Sequence, residues 1–324
     1  MKTRRLGRTG YEVSEIGLGC WQLGGDFGPV DDDTSDSILT HALNAGVTFW
    51  DTADVYGNGL SESRIGAHAK GPNVVVATKL GRASTLYPNK YSKQALRDSL
   101  VGSAKRLGVQ ALDLAQLHCV PGEVLRDGAI FRWMDELQAE GLVRHWGASV
   151  ETIEEGLLCL KQPGCATLQI IFNLLRQDAA KDLLPQAAAQ DVGIIVRLPL
   201  ASGLLSGKFD KNTRFADSDH RNYNRDGAAF SVGETFAGIR YEKGVELVQT
   251  LKGFAPEGLP MNQFALRWVL DHPEVSTVIA GVSKPEQIAE NVAASERKSL
   301  FPALMKQLGE WYEDNVKPEI RGGV

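Results

Sequence analysis

The stretch FWDTADVYGNG, residues 49–59, begins as a strand and ends as a turn. Phe49 and Trp50 continue a short apolar run, and an acid, Asp51, stands where the run stops. Five residues on comes Tyr56, just ahead of Gly57, Asn58 and Gly59. Taken alone, the pattern reads as an Asx-type turn followed by a surface tyrosine. It also reads as a strand tip bearing an acid and a loop bearing a phenol, the way parallel barrels present reacting groups. The rest of the chain separates the two readings.

Outward from this stretch the chain is rhythmic. Short apolar runs at residues 16–18, 47–50, 74–77, 112–117, 145–148, 167–171, 193–196 and 275–279 alternate with amphipathic segments. The latter lie near 35–44, 61–69, 92–107, 129–140, 152–161, 179–190, 241–251, 261–271 and 285–295. In the 92–107 segment Ser92 is placed to cap, Ala95, Leu96, Leu100 and Leu107 keep helical spacing, and Gly108 stops the helix. The 324 residues spread over eight strand–helix units at about 40 per unit, which predicts a (β/α)8 TIM barrel. The strands do not alternate polar and apolar, as expected of a parallel sheet covered on both faces. Arg4 to Leu6 and Glu12 to Ser14 flank GRTG and predict an N-terminal β-hairpin that plugs the bottom of the barrel. An extra C-terminal helix is expected near 302–316, before a frayed RGGV end. No linker interrupts the chain, so residues 1–324 are expected to form a single barrel domain. The polar segment 206–234 is too long for a plain connection and is expected to be either a lid or a surface loop.

Composition excludes several functions. A net charge of −5 gives no basic footprint for nucleic acid. The basic start MKTRRLGRTG lacks a following apolar region, and no apolar run reaches about eighteen residues, so neither a signal peptide nor a membrane span is expected. Cys20, Cys119, Cys159 and Cys165 form no zinc-knuckle pattern and read as free thiols in a reducing cytoplasm. No metal is expected. GLLSGKF (residues 203–209) has only three residues between its glycines, and Phe209 stands where a P-loop needs Ser or Thr. GLGCWQLGG lacks dinucleotide-fingerprint spacing, and GASVE is not a nucleophile elbow.

Barrels place chemistry at strand ends, and three strands end on ionisable groups. Asp51 tips the second barrel strand, Lys79 ends the third in VVVATKL, and His118 ends the fourth in LDLAQLHCV. Singly, such a lysine or histidine reads as a structural residue. Together with Tyr56 they converge on one barrel mouth. A phenol is a weak acid at neutral pH, and a neighbouring ammonium eases release of its proton. The ammonium needs a carboxylate, which Asp51 supplies, while a neutral imidazole can orient a carbonyl oxygen. The set is a carbonyl-polarising acid site.

Asp51, Tyr56, Lys79 and His118 at successive strand ends resemble the catalytic tetrad of the aldo-keto reductases. The resemblance extends through LGRTGYEVSEIGLGCW, DTADVYGNGLSESRIG, ATKLG, DLAQLHCV, RLPLASGLLSGKF and VIAGVSKPEQIAENV, almost the whole chain. It implies an NAD(P)H-dependent oxidoreductase that reduces aldehydes or ketones, or oxidises alcohols or sugars, without metal. Tyr56 would be the proton donor, Lys79 its activating neighbour, Asp51 the partner of Lys79, and His118 the group orienting the carbonyl. Gly19, Cys20 and Trp21 resemble the segment beside the nicotinamide, and Ser149 and Gln169 the carboxamide site. Leu200, Ala201, Ser202 and Gly203, with Lys208, resemble the pyrophosphate loop. The last loop, with Gly281, Ser283, Lys284, Gln287 and Asn291, resembles the site for the adenosine 2′-phosphate and adenine.

Three positions depart from the common pattern. Val150 replaces an asparagine that helps hold the carboxamide. Arg197 stands where a tyrosine stacks on the nicotinamide, and a planar guanidinium can also stack. Gln287 replaces an arginine at the 2′-phosphate, leaving Ser283 and Lys284 as polar candidates. NADPH is therefore the expected cofactor, with NADH possible. Trp21, Phe27, Tyr87 and Trp311 are candidate walls of a pocket for a small carbonyl or sugar substrate. Two rivals stand beside this reading: a Schiff-base aldolase using Lys79, which Asp51 disfavours by keeping the amine charged, and a cofactor-binding sensor or regulatory subunit with slow turnover.

Overall fold

The protein is described by a computed structural model covering residues 1–25, 28, 30–69 and 73–323. Phe27 lies outside the described residues, as does the final residue of the RGGV end. Strands β1 (Thr3–Arg5) and β2 (Glu12–Ser14) form an antiparallel hairpin. The pairing region begins one residue earlier than the sequence suggests, since Leu6 turns inward rather than extending the ladder. Eight parallel strands follow: β3 (Ile16–Gly19), β4 (Phe49–Asp51), β5 (Val75–Leu80), β6 (Leu112–His118), β7 (Val143–Ser149), β8 (Cys165–Ile171), β9 (Gly193–Arg197) and β10 (Val275–Gly281). They close in sequence order, with β10 pairing β3. This is the expected (β/α)8 barrel.

Two apolar cores follow from that closure. The larger fills the layer between strands and outer helices and includes Trp50, Trp146, Phe172 and Trp268. The smaller lies inside the barrel, where Leu6 and Val13 of the hairpin meet Phe49, Ala77, Leu114, Ile195 and Ile279. The hairpin thus seals the bottom. Gly7 permits it: its φ is +49°, and a Cβ there would stand 2.8 Å from the Val192 carbonyl carbon. Arg4 clamps the hairpin to Glu15 at 2.7 Å and to the carbonyl oxygen of Val275 at 2.7 Å.

Local signals set the helix ends. Ser92 Oγ accepts from the Ala95 N–H at the start of helix Lys93–Leu107, and Gly108 ends it at φ 71°. Thr152 and Glu155 form a capping box on helix Ile153–Leu160. The segment expected near 179–190 divides into a 3-10 turn, Asp178–Ala180, and a shorter helix, Leu183–Ala189. Pro185 explains the break, because it lacks an N–H and is tolerated only in a helix's first turn. Helix Gly122–Asp127 had no sequence signal of its own. The C-terminal helix runs Pro302–Asn315. Among the described residues no helix is long and apolar enough to cross a membrane, and the four cysteines are buried and unbridged.

Candidate active site

At the barrel's C-terminal mouth three strand ends meet as the sequence predicts. Lys79 Nζ donates to Asp51 Oδ2 at 2.5 Å, to the Thr52 carbonyl at 3.0 Å and to Tyr56 Oη at 3.2 Å. Both charged side chains are almost wholly buried, so neither would be tolerated there without the other. Asp51 Oδ1 accepts from Gln169 Nε2 at 2.8 Å and from Gln116 Nε2 at 3.3 Å. Burial opposes the charge on Lys79, but Asp51 and Tyr56 more than offset it and hold the ammonium above its ordinary range.

Tyr56 stands on a loop fixed by close backbone contact. Gly57 (φ +57°) lies against Gly24, and a Cβ at Gly57 would stand 2.8 Å from Gly24 Cα. That contact joins the loop after β4 to the loop after β3, where Trp21 stacks on Tyr56 with ring centroids 5.7 Å apart. Lys79 was expected to ease the tyrosine's ionisation, and its ammonium does pull that way. Burial wins, however, and pushes Tyr56 up to about 12. The phenol is therefore a firmly protonated donor. His118 meets Tyr56 edge-on at 5.9 Å. Burial, then Arg82, Lys79 and Arg197, hold its imidazole well below the usual range, so it is neutral.

A cavity of about 700 Å³ opens above these groups. Asp51, Tyr56 and His118 line its floor, and Gly19, Cys20, Trp21, Ser149, Gln169, Arg197, Leu200, Ser202, Gly203, Lys208, Gly281, Ser283, Gln287 and Asn291 line its walls. Lys79 sits beneath them, reaching the cavity through Tyr56. Two observations fit an extended anionic cofactor. The backbone turns left-handed at Leu198, Ala201, Ser202 and Gly203, with φ of 52°, 47°, 55° and 96°, and such curled backbone forms a concave anion cradle. Strain of this kind at non-glycine residues is stored mostly at functional sites. Arg197 Nε, a donor that suits an anion, is also buried without a hydrogen-bond partner among the described residues, as are His118 Nδ1 and the acceptor Gln22 Oε1, and all three residues border the cavity. Ser149 and Gln169, by contrast, already bond each other at 3.3 Å. Arg197 donates to the Val150 carbonyl at 3.0 Å, so the backbone at that position is engaged although its side chain is apolar.

One expectation is corrected. Trp311 is not at the cavity: it packs against Phe254 on the outer layer, 5.9 Å between centroids, because its helix follows the eighth unit and runs behind the barrel. Lys284 is absent from the cavity lining. Its N–H and that of Ser283 are instead accepted by Gln287 Oε1 at 3.1 and 2.7 Å. Tyr87 does line the cavity.

Other lining residues had gone unread. Arg82 contacts Glu151 at 2.7 Å and Glu234 at 2.9 Å, and Arg197 approaches Glu234 at 3.5 Å. Glu151 and Glu234 share one environment. Burial pushes both up, but the two arginines hold Glu234 well below the usual range, whereas repulsion from Glu234 leaves Glu151 raised. Ligand atoms of Cys119, Glu151 and Glu234 gather within 4.8 Å, yet the guanidinium groups already neutralise this cluster. From the 206–234 segment, Arg221 and Phe230 also reach the cavity, and Arg221 pairs with Asp219 at 2.5 Å.

Comparison with known proteins agrees with this geometry. The profile of the Aldo/keto reductase family matches residues 15–313. The chain is 31% identical to a putative voltage-gated potassium channel subunit beta of Schizosaccharomyces pombe, covering 95% of this chain and 92% of that one. It is 30% identical to the aldo-keto reductase YhdN of Bacillus subtilis over 89% and 87% of the two chains. In structure it resembles a glycerol dehydrogenase of Gluconobacter oxydans, with a TM-score of 0.79 at 28% identity over 100% and 98% of the chains. Strand-end chemistry, barrel and profile agree, and the chain belongs to the aldo/keto reductase family.

Proposed function

We propose that the protein is a single-domain NADPH-dependent reductase of small aldehydes, ketones or sugars, able to run in reverse on the alcohols, with Tyr56 as proton donor and NADH as a weaker cofactor. The observation that carries this reading is the buried chain Asp51–Lys79–Tyr56, 2.5 and 3.2 Å at its two links, opening at the cavity floor. The bound nicotinamide would supply the hydride. Tyr56 donates a hydrogen bond to the substrate carbonyl oxygen and gives up its proton as alkoxide character develops, since an alkoxide is a far stronger base than a phenolate. Lys79 then stabilises the phenolate, and Asp51 holds Lys79 in place. His118, kept neutral by burial and three cations, orients the carbonyl without competing for that proton.

The curled backbone at 198–203 and Lys208 suit a pyrophosphate, and Ser283, Gln287 and Asn291 suit the adenosine end. Unbridged cysteines suit a reducing cytoplasm. The test is steady-state loss of reduced-nicotinamide absorbance with panels of aldehydes, ketones and sugars, using both cofactors. Turnover with none of them, despite tight cofactor binding, would favour a second reading: a nucleotide-binding sensor or regulatory subunit. Similarity to a protein named as a potassium channel subunit keeps that reading in view.

A further inference from the structure

The polar segment 206–234 ends on a buried carboxylate. Only 5% of the Glu234 side chain is exposed, although it closes a stretch whose composition suggests surface. A buried carboxylate is costly unless paired, and Glu234 is paired twice. Its Oε1 lies 2.9 Å from Arg82 and 3.5 Å from Arg197, and its Oε2 accepts from Arg82 at 3.2 Å. Arg82 lies just beyond β5, and Arg197 ends β9. Its backbone is tied as well: Ser202 Oγ donates to the Glu234 carbonyl at 3.3 Å and accepts from the Phe236 N–H at 3.3 Å.

One residue therefore joins three parts of the cavity. Ser202 belongs to the left-handed anion cradle, Arg197 to the wall beside Ser149 and Gln169, and Arg82 to the wall that carries Phe230, whose ring lies 5.8 Å from the guanidinium. We infer that Glu234 is a positioning residue that fastens the 206–234 segment across the cavity and holds Arg197 in place against the cofactor, so that it sets how long the cofactor stays. The inference rests on the NADPH reading above. Glu234 itself touches no reacting atom and acts through Arg197 and Ser202.

The arginines hold Glu234 ionised, so the isosteric change Glu234→Gln removes the charge and little volume. Truncating a buried charge pair acts chiefly on dissociation. NADPH measured by stopped-flow quenching of tryptophan fluorescence should leave Glu234→Gln at least about tenfold faster than it leaves the parent. KM for NADPH should rise while the single-turnover hydride step at saturating NADPH keeps its rate, a split that general loss of structure would not give. Amide exchange in 206–234 of the NADPH complex should quicken, and Glu234→Asp should recover part of the slow release. If Glu234→Gln does not fold, Arg82→Gln tests the same contact from its other end, read by the NADPH release rate alone, which should again rise at least about tenfold. A parent that binds NADPH beside a variant that releases it at the parent rate overturns this inference and leaves the proposed function standing. A parent that binds no NADPH overturns both.

Discussion

The Lys79 ammonium lies 3.2 Å from the Tyr56 hydroxyl and 4.9 Å from the centre of the tyrosine ring. One cation thus faces both the hydroxyl oxygen and the π-cloud of the phenol, while its own charge is anchored at 2.5 Å by Asp51. The arrangement favours the phenolate at the moment it forms and does little for the resting phenol, which burial keeps protonated.

Tyr56→Phe tests the acid directly. It removes one oxygen and leaves the Trp21 stacking partner in place. Loss of a positioned acid costs roughly 10²–10⁴-fold in rate, so carbonyl reduction should fall by that factor with cofactor affinity nearly unchanged. Titration of NADPH fluorescence beside initial rates measures both. A Phe variant working at close to the parent rate would remove Tyr56 from the mechanism.

Lys79→Met should damage both activity and stability. It leaves Asp51 buried among Gln169, Gln116 and apolar strands without the cation that is bonded to it. Breaking a buried pair from one side costs about 3–5 kcal/mol, readable as a lower denaturant midpoint at unchanged slope. A fully active and equally stable Met variant would make Lys79 an ordinary structural residue.

The fold and the tetrad were legible because their signals are local. Asp51, Lys79 and His118 each interrupt an apolar run, and each such interruption coincides with a strand end. The Arg82–Glu234 and Arg82–Glu151 pairs were illegible for the opposite reason. Their partners stand 152 and 69 residues apart, and a charged residue in a polar loop carries no mark of burial. Trp311 shows the converse error, since an aromatic residue in an amphipathic helix fits a pocket wall and an outer core equally well. Lys284 stands on the last loop next to Ser283, which borders the cavity, and the bond that Gln287 Oε1 accepts from its backbone N–H carried no mark in the sequence.

Acid sensitivity should trace in part to His118. Its folded-state pKa is depressed below 6.5, so the unfolded chain binds the proton more readily. The stability this neutral imidazole contributes is present above the unfolded value and is lost as pH falls through 6.5 toward the folded value. Melting midpoints measured from about pH 8 to about pH 5 should fall less steeply in His118→Asn than in the parent. Equal slopes would mean that His118 titrates as in the unfolded chain.

Cofactor choice should turn on the last loop. NADPH differs from NADH by one 2′-phosphate, and the polar residues of the last loop and its helix that border the cavity are Ser283, Gln287, Glu290 and Asn291. None is a cation. Glu290 opposes an anion, and Lys208, which borders the cavity from the loop after β9, offsets it at 3.7 Å. Lys284 lies on the same loop, two residues before the helix Glu286–Glu296, whose N-terminal end favours negative charge. A charge-assisted bond from Lys284 contributes on the order of 1.5–3 kcal/mol, roughly ten- to a hundredfold in affinity, so NADPH should be preferred by no more than that. Gln287→Arg supplies a bidentate guanidinium beside the phosphate, although it sacrifices the bonds that Gln287 Oε1 accepts from the Ser283 and Lys284 backbone. The new charge should dominate, and the ratio of Kd values for NADH and NADPH should widen, more so at low salt because the added interaction is exposed. Lys284→Ala should raise the Kd for NADPH and barely move that for NADH. Isothermal titration of both cofactors against the three proteins decides the matter: if the parent holds the two cofactors equally and neither substitution separates them, the 2′-phosphate is not bound at this loop.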